Sequence, residues 1–316
     1  NHDFGNGMGF LQSAMAQSNF PWLCANVFEN KSPPQPIALT STLITQTLPN
    51  VVETVETIKI GLFGVMPPHV TQWEAAHLNG QIKACGIVDA ARKGVAELRA
   101  AGADLILALS HSGISEAEDF EENASVFVAG IDGVDVVLCG HTHQVFPGPD
   151  FTQSHRIDPN AGTLCKKPAV MPGHSGSHVG VIDLDLHHDN TRWNISAHKA
   201  QCVRPNESSQ DAQHLKNLLL PAHRSTLSYI RRPVGHLPDP LNSFFSAVMH
   251  DKALQLVAES QRRFVEDAIT ASPLSGLPVL SAAAPPKAGG RAGSDHYTNV
   301  AAGEVRNSGM SDLYFF

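Results

Sequence analysis

The chain has 316 residues, with 22 Lys and Arg, 30 Asp and Glu, 17 His and a formal net charge of −8. That length allows two domains and a sizeable core. With 42 % hydrophobic and only 16 % charged residues, it excludes a disordered chain, and its acidic balance excludes charge-driven binding to polymeric nucleic acid or an acidic membrane.

The surplus residue is histidine, and a chain poor in ordinary charge but rich in imidazole directs attention to metal ligands. The chain opens Asn1-His2-Asp3 without a Met, a basic segment or an apolar h-region, and closes on the apolar run Leu313 to Phe316. These ends predict an internal fragment, so a missing signal peptide carries no information about location. No stretch reaches the roughly 18 apolar residues of a membrane helix. The five cysteines, Cys24, Cys85, Cys139, Cys165 and Cys202, form no CxxC pair, which argues against a zinc–thiolate site. Cys139 ends an apolar run and is expected to be buried.

In chain order, Pro21 to Val27 holds a short apolar run and Ile58 to Met66 reads as a buried strand. Ile87, Val88, Ala91, Val95 and Leu98 have helical spacing, and Gly102 is a stop after them. Asp104 to Ser110 is a continuous apolar strand. A second helix is expected over Asn123 to Ile131, then strands at Val134 to Gly140, Ala169 to Met171 and Val179 to Leu186. Strand–helix–strand alternation of this kind predicts an α/β layer fold. From about 203 to 235 the sequence reads as a linker with a helix around Leu215 to Leu227. Phe244 to Ile269 then reads as a long amphipathic helix, and Leu277 to Leu280 as a short strand before the glycine-rich turn at 289–293. A domain boundary is expected near residue 204. The sequence has no internal repeats and no long low-complexity tract.

Three places put metal-type ligands in ordered motifs: Asn1-His2-Asp3, Ser110-His111 after one apolar strand, and Gly140-His141-Thr142-His143 after another. Strand ends of an α/β sheet are where ligands converge, and imidazoles suit a divalent transition metal. In an extended His-Thr-His both rings point to one side and could serve one ion or two neighbouring ions. Gly140 is expected to let the backbone turn sharply. Most other histidines, among them His155, His174, His178 and His198, lack such a setting and are expected to be solvated or capping.

With these residues, NHDFGNG, SNFPWLCANV, GLFGVMPP, LSHSGI, CGHTHQVFPGP and GHSGSHVGVIDLDL resemble the calcineurin-like metallophosphoesterases. The closest likeness is to the 5′-nucleotidase branch and its bifunctional 2′,3′-cyclic-nucleotide 2′-phosphodiesterase/3′-nucleotidases. LPVLSAAAPPKAGGRAG, YTNVAAGEV and DLYFF resemble the start of those enzymes' carboxy-terminal substrate domain.

The resemblance implies a β-sandwich flanked by helices over 1–203 that lacks its N-terminal motifs, a linker helix region over 204–235, and a truncated α/β substrate domain over 236–316. It implies two divalent metal ions, whether Mn, Co, Zn, Fe or Mg, with Asn1, His111 and His141 on one and His143 on the other. His2 would stabilise the transition state or act as general acid. Arg291 and Phe316 would bind substrate, Phe316 by stacking on the base. Nucleotides and cyclic nucleotides are the implied partners and the periplasm the implied location, with oligomeric state left open. The family's Asp-x-His motif and bridging Asp lie upstream of Asn-His, so the chain taken alone is expected to be catalytically incomplete. Gly5 also stands where such enzymes often place an orienting Asp. A 5′-nucleotidase or UDP-sugar hydrolase, and a non-catalytic metal- or nucleotide-binding module, are the competing readings.

Overall fold

The computed structural model describes residues 2–49, 55–117, 122–189, 191–206, 213–284, 287–289 and 293–313. The chain divides into two compact units, Asn1–Ser209 and Gln210–Phe316.

The first unit opens with a 3₁₀ turn, His2–Phe4, and helix α1 (Gly7–Gln17), an element that the sequence reading did not propose. Strands β1 (Val27–Glu29), β2 (Ser41–Pro49) and β3 (Val55–Val65) follow, then the short helices α2 (Val70–Trp73) and α3 (Ala75–Leu78) and strand β4 (Ile82–Ala84). Helix α4 (Ile87–Ala100), β5 (Leu105–Ser110), α5 (Ser125–Ala129) and β6 (Val136–Cys139) continue the alternation. After them come β7 (Val145–Phe146), β8 (Ile157–Asp158), β9 (Thr163–Leu164), β10 (Lys167–Pro172) and the hairpin β11 (Val179–His188) with β12 (Trp193–Val203).

The central sheet runs β2-β3-β5-β6-β10-β9-β8, with β7 also on β10. Strands β3, β5, β6 and β10 are mutually parallel, so their carboxyl ends share one edge. The two inner strands β5 (LILALS) and β6 (VVLC) are apolar at nearly every position because both faces are covered, whereas β3 carries exposed Thr57 and Lys59 in its first half. On one face α4 buries Ile87, Ala91, Val95 and Leu98, the stripe its sequence spacing predicts, against Phe63, Ile106 and Val137. Gly102, at φ 85°, turns the chain out of this helix. The hairpin β11–β12 packs on β10: the Cys202 thiol donates to the Phe146 and Met171 carbonyls at 3.1 and 3.4 Å. A mixed α/β unit with sheets flanked by helices therefore stands as expected. Cys139 is buried, and burial pushes its thiol up to about 12.

The second unit holds α6 (Gln213–Ile230), β13 (Pro233–Leu237), β14 (Leu241–Asn242), α7 (Lys252–Ile269), β15 (Asn299–Val300), β16 (Gly303–Arg306) and α8 (Asn307–Met310). Strand β13 pairs antiparallel with β16, and β14 with β15. Two expectations fail here. The long helix begins at Lys252 rather than Phe244, because Asp251 is extended and its carboxylate caps the Leu254 N–H at 2.9 Å. Leu277 to Leu280 is not a strand: it meets no partner strand among the described residues, and Leu280 is 94 % exposed.

Candidate active site

The carboxyl ends of the four parallel strands set the site. Val65, Ser110 and Cys139 stand in register as the last residues of β3, β5 and β6. The chain leaves those strands through Met66, His111 and Gly140-His141, and leaves β10 through Gly173-His174. A cavity of about 420 Å³ opens at this edge, and His2, Asp3, Met66, Ser110, His111 and Gly140 help to line it. Burial of Phe4 among Met8, Leu11, Cys24 and Met66 brings the N-terminal turn there, which places His2 and Asp3 beside the strand-end imidazoles.

His111 and His141 meet edge to face, with ring centroids 5.5 Å apart. The close approach explains Gly140: a Cβ there would lie 3.2 Å from His111 Nδ1. Gly140 does not take the left-handed turn; His141 (φ 76°) and His143 (φ 61°) do, a backbone state uncommon for non-glycine residues, though histidine visits it more than most. The expected extended His-Thr-His is thus replaced by two left-handed residues with different neighbours. Trp73 lies flat on the His141 ring, 5.4 Å away at 18°, and His69 stacks on Trp73. His143 is exposed and stacks on His174 at 4.9 Å.

Burial pushes the His111 pKa down to about 4. His111 is therefore a neutral imidazole at pH 7, the form that donates to a metal. His141 Nε2 is hydrogen-bonded to Glu122 Oε1 at 2.9 Å. The segment carrying Glu122 is tied to the turn after β5: its carbonyl accepts from Ser112 Oγ at 2.7 Å, and the Ala124 N–H donates to that same hydroxyl at 2.7 Å.

As a metal site the described residues fit in part. His111 and His141 supply two neighbouring nitrogen ligands, but among the described residues no group of three or more His, Cys, Asp or Glu could hold an ion. Of the residues that the sequence singled out, the structure brings His2, His111 and His141 to one edge and sets His143 beside them in the chain with a separate neighbour. Asn1, Arg291 and Phe316 lie outside the described residues. Sequence reasoning missed Glu122, Trp73 and His174. Only His174 left a signal, a second Gly-His pair directly after a parallel strand. His178, also expected to be solvated, accepts from Arg204 Nε at 3.1 Å.

No family model matches the sequence. A 2′,3′-cyclic-nucleotide 2′-phosphodiesterase/3′-nucleotidase of Salmonella typhimurium is 35 % identical over 330 residues, covering 100 % of this chain and 50 % of that protein. The trifunctional nucleotide phosphoesterase protein YfkN of Bacillus subtilis is 33 % identical over 325 residues, covering 100 % of this chain and 22 % of its own length. The crystal structure of calcineurin-like phosphoesterase YfkN from Bacillus subtilis superposes with a TM-score of 0.68 at 28 % identity, over 73 % of this chain and 70 % of that one.

The chain is similar to a calcineurin-like phosphoesterase in sequence and in fold. A 5′-nucleotidase precursor of Thermus thermophilus shares the phosphoesterase fold with a TM-score of 0.60 at 17 % identity, over 99 % of this chain and 56 % of that one. The chain spans about half the length of the Salmonella relative. No helix among the described residues is long and apolar enough to cross a membrane.

Proposed function

We propose that the protein carrying this chain is a metal-dependent phosphohydrolase that opens 2′,3′-cyclic nucleotides to 3′-nucleotides and then releases phosphate to leave nucleosides. The observation that carries this reading is the convergence of His111 and His141 at the carboxyl ends of parallel strands, in a chain 35 % identical over its full length to an enzyme of that name. His111 and His141 would hold one divalent ion together with Asn1, and His143 would serve a second. Bound ions would supply a nucleophilic water near neutral pH and offset charge on the phosphate.

The chain's own residues do the rest. His2, exposed on the cavity beside His111, can give a proton to the ribose oxygen that leaves, which suits an imidazole near pH 7. Trp73 holds the plane of the His141 ring. Arg291 and Phe316 would bind the nucleotide, Phe316 by stacking in a way that any base satisfies. The division into a catalytic domain (1–203), a linker helix region (204–235) and a substrate domain (236–316) belongs to the same reading, as does a periplasmic location. Its support is sequence resemblance.

The test is phosphate release by the full-length protein with Mn²⁺ or Co²⁺ from 2′,3′-cyclic AMP, 3′-AMP and 5′-AMP. His141→Ala should lower turnover of the first two at least about a hundredfold. Unchanged turnover would sink the metal assignment, and cleavage of 5′-AMP alone would replace this reading with a 5′-nucleotidase.

A further inference from the structure

We propose that Glu122 is a positioning residue that locks His141 in the Nε2–H tautomer and leaves Nδ1 as the ring's donor atom for a divalent ion. The inference rests on the metallohydrolase reading above, but its first consequence can be read without any metal.

The His141 ring is fixed on several sides. Trp73 covers a face at 5.4 Å and His111 meets the ring edge to face at 5.5 Å. At Nε2 stands Glu122 Oε1, 2.9 Å away. A carboxylate can only accept, so Nε2 carries the hydrogen, and in the neutral ring the lone pair then resides on Nδ1. A carboxylate behind a metal-binding imidazole sets its tautomer, orients the ring and raises its basicity.

The acid is itself held in place. Its carbonyl accepts from Ser112 Oγ at 2.7 Å and from the Gly113 N–H at 3.2 Å. Ser112 is buried, and its carbonyl accepts from the hydroxyl of buried Ser125 at 2.8 Å. Gly113 has no room for a side chain: a Cβ would fall 1.9 Å from Asn123 Oδ1 and 2.6 Å from Thr142 Cγ2. The segment bearing Glu122 and the His141–His143 segment are thus packed against each other through Gly113. A surface ion pair would leave both partners in water, whereas here the imidazole side chain is 13 % exposed and the acid 39 %. The carboxylate caps a mostly buried ring.

The experiment uses the 316-residue chain with ¹⁵N-labelled histidine and no metal. Long-range ¹⁵N–¹H spectra should show the Nε2–H pattern for His141, retained in Glu122→Gln, whose amide oxygen still accepts, and lost in Glu122→Ala. Competition for Zn²⁺ against a chromophoric chelator should then show affinity falling about 10- to 100-fold in Glu122→Ala, with Glu122→Gln staying near wild type. An Nδ1–H pattern in the wild type overturns the proposal, and this holds even if Glu122→Ala fails to fold. So does a folded Glu122→Ala with unchanged tautomer and affinity. If Glu122→Ala keeps zinc while His141→Ala loses it, only the positioning role falls. If His141→Ala binds zinc as tightly as wild type, the metal reading falls and takes this proposal with it.

Discussion

Asn26 shows how one side chain can hold a rim in place. It is fully buried, and its amide donates to the Met66 carbonyl at 2.7 Å and the Cys85 carbonyl at 3.0 Å, while its oxygen accepts from the Met66 N–H at 3.1 Å. Those groups belong to the chain as it leaves β3 and to the residue after β4, so three separate stretches meet at one amide. Asn26→Leu should destabilise the protein by about 2–4 kcal/mol, because it leaves the buried Met66 N–H and two carbonyls without partners; urea unfolding would measure this, and a loss below about 0.5 kcal/mol would contradict it. At this scale the sequence was readable only in part. His111 and His141 stood out because a strand end advertises itself as a change from apolar to polar. Glu122 did not, since it comes to His141 through a loop 19 positions away, and no local periodicity encodes that meeting. The left-handed backbone at His141 and His143 was hidden too, because glycine next door was the natural place to assign the turn.

Among elements, those with strong periodicity were legible. Helix α4 begins at the residue where the apolar stripe begins and stops before Gly102. Its far end is fastened by Arg99, whose guanidinium donates to the Ala103, Asp104 and Gly133 carbonyls and pairs with Asp135 at 2.7 Å. Asp135 also accepts from the Ile106 N–H, so this ion pair stitches α4, β5 and the approach to β6 at the edge of the sheet opposite the cavity. Elements defined by a side-chain bond were not legible: the extended cap at Asp251, not the apolar pattern upstream, decides where α7 starts. The β11–β12 hairpin turns on Asp189. Hydrogen bonds from the Thr191 hydroxyl, the Arg192 and Thr191 N–H groups and the Asn194 amide hold its carboxyl well below the usual carboxylate range. A depressed folded pKa means the unfolded state takes up the proton first. The contribution is therefore complete above the unfolded value of about 4 and is lost as pH falls below it. Asp189→Ala should lower the melting temperature at pH 7, and the gap from wild type should close towards pH 2. A gap that stays constant over that range would refute the assignment.

Across the whole molecule the two units differ in how much they bury. In the first, Phe63, Ile106, Val126 and Val137 are completely enclosed within a continuous core. In the second, α6 buries none of its residues, and the core is a small group around Leu241, Ala253, Val300, Val305 and Leu313. Opening free energies follow buried apolar contacts. Amide exchange should accordingly leave β5 and β6 protected long after α6 has exchanged, and equal protection in both units would contradict this picture.

Gly140 carries a last consequence. The place of the His111 ring depends on an atom that is not there: a single methyl group at position 140 would stand 3.2 Å from His111 Nδ1, enough to push the ring by a few tenths of an ångström. The backbone of one strand thus serves as a gauge for a side chain of the next. A side chain at position 140 would therefore shift His111 in small chemical steps without altering either histidine.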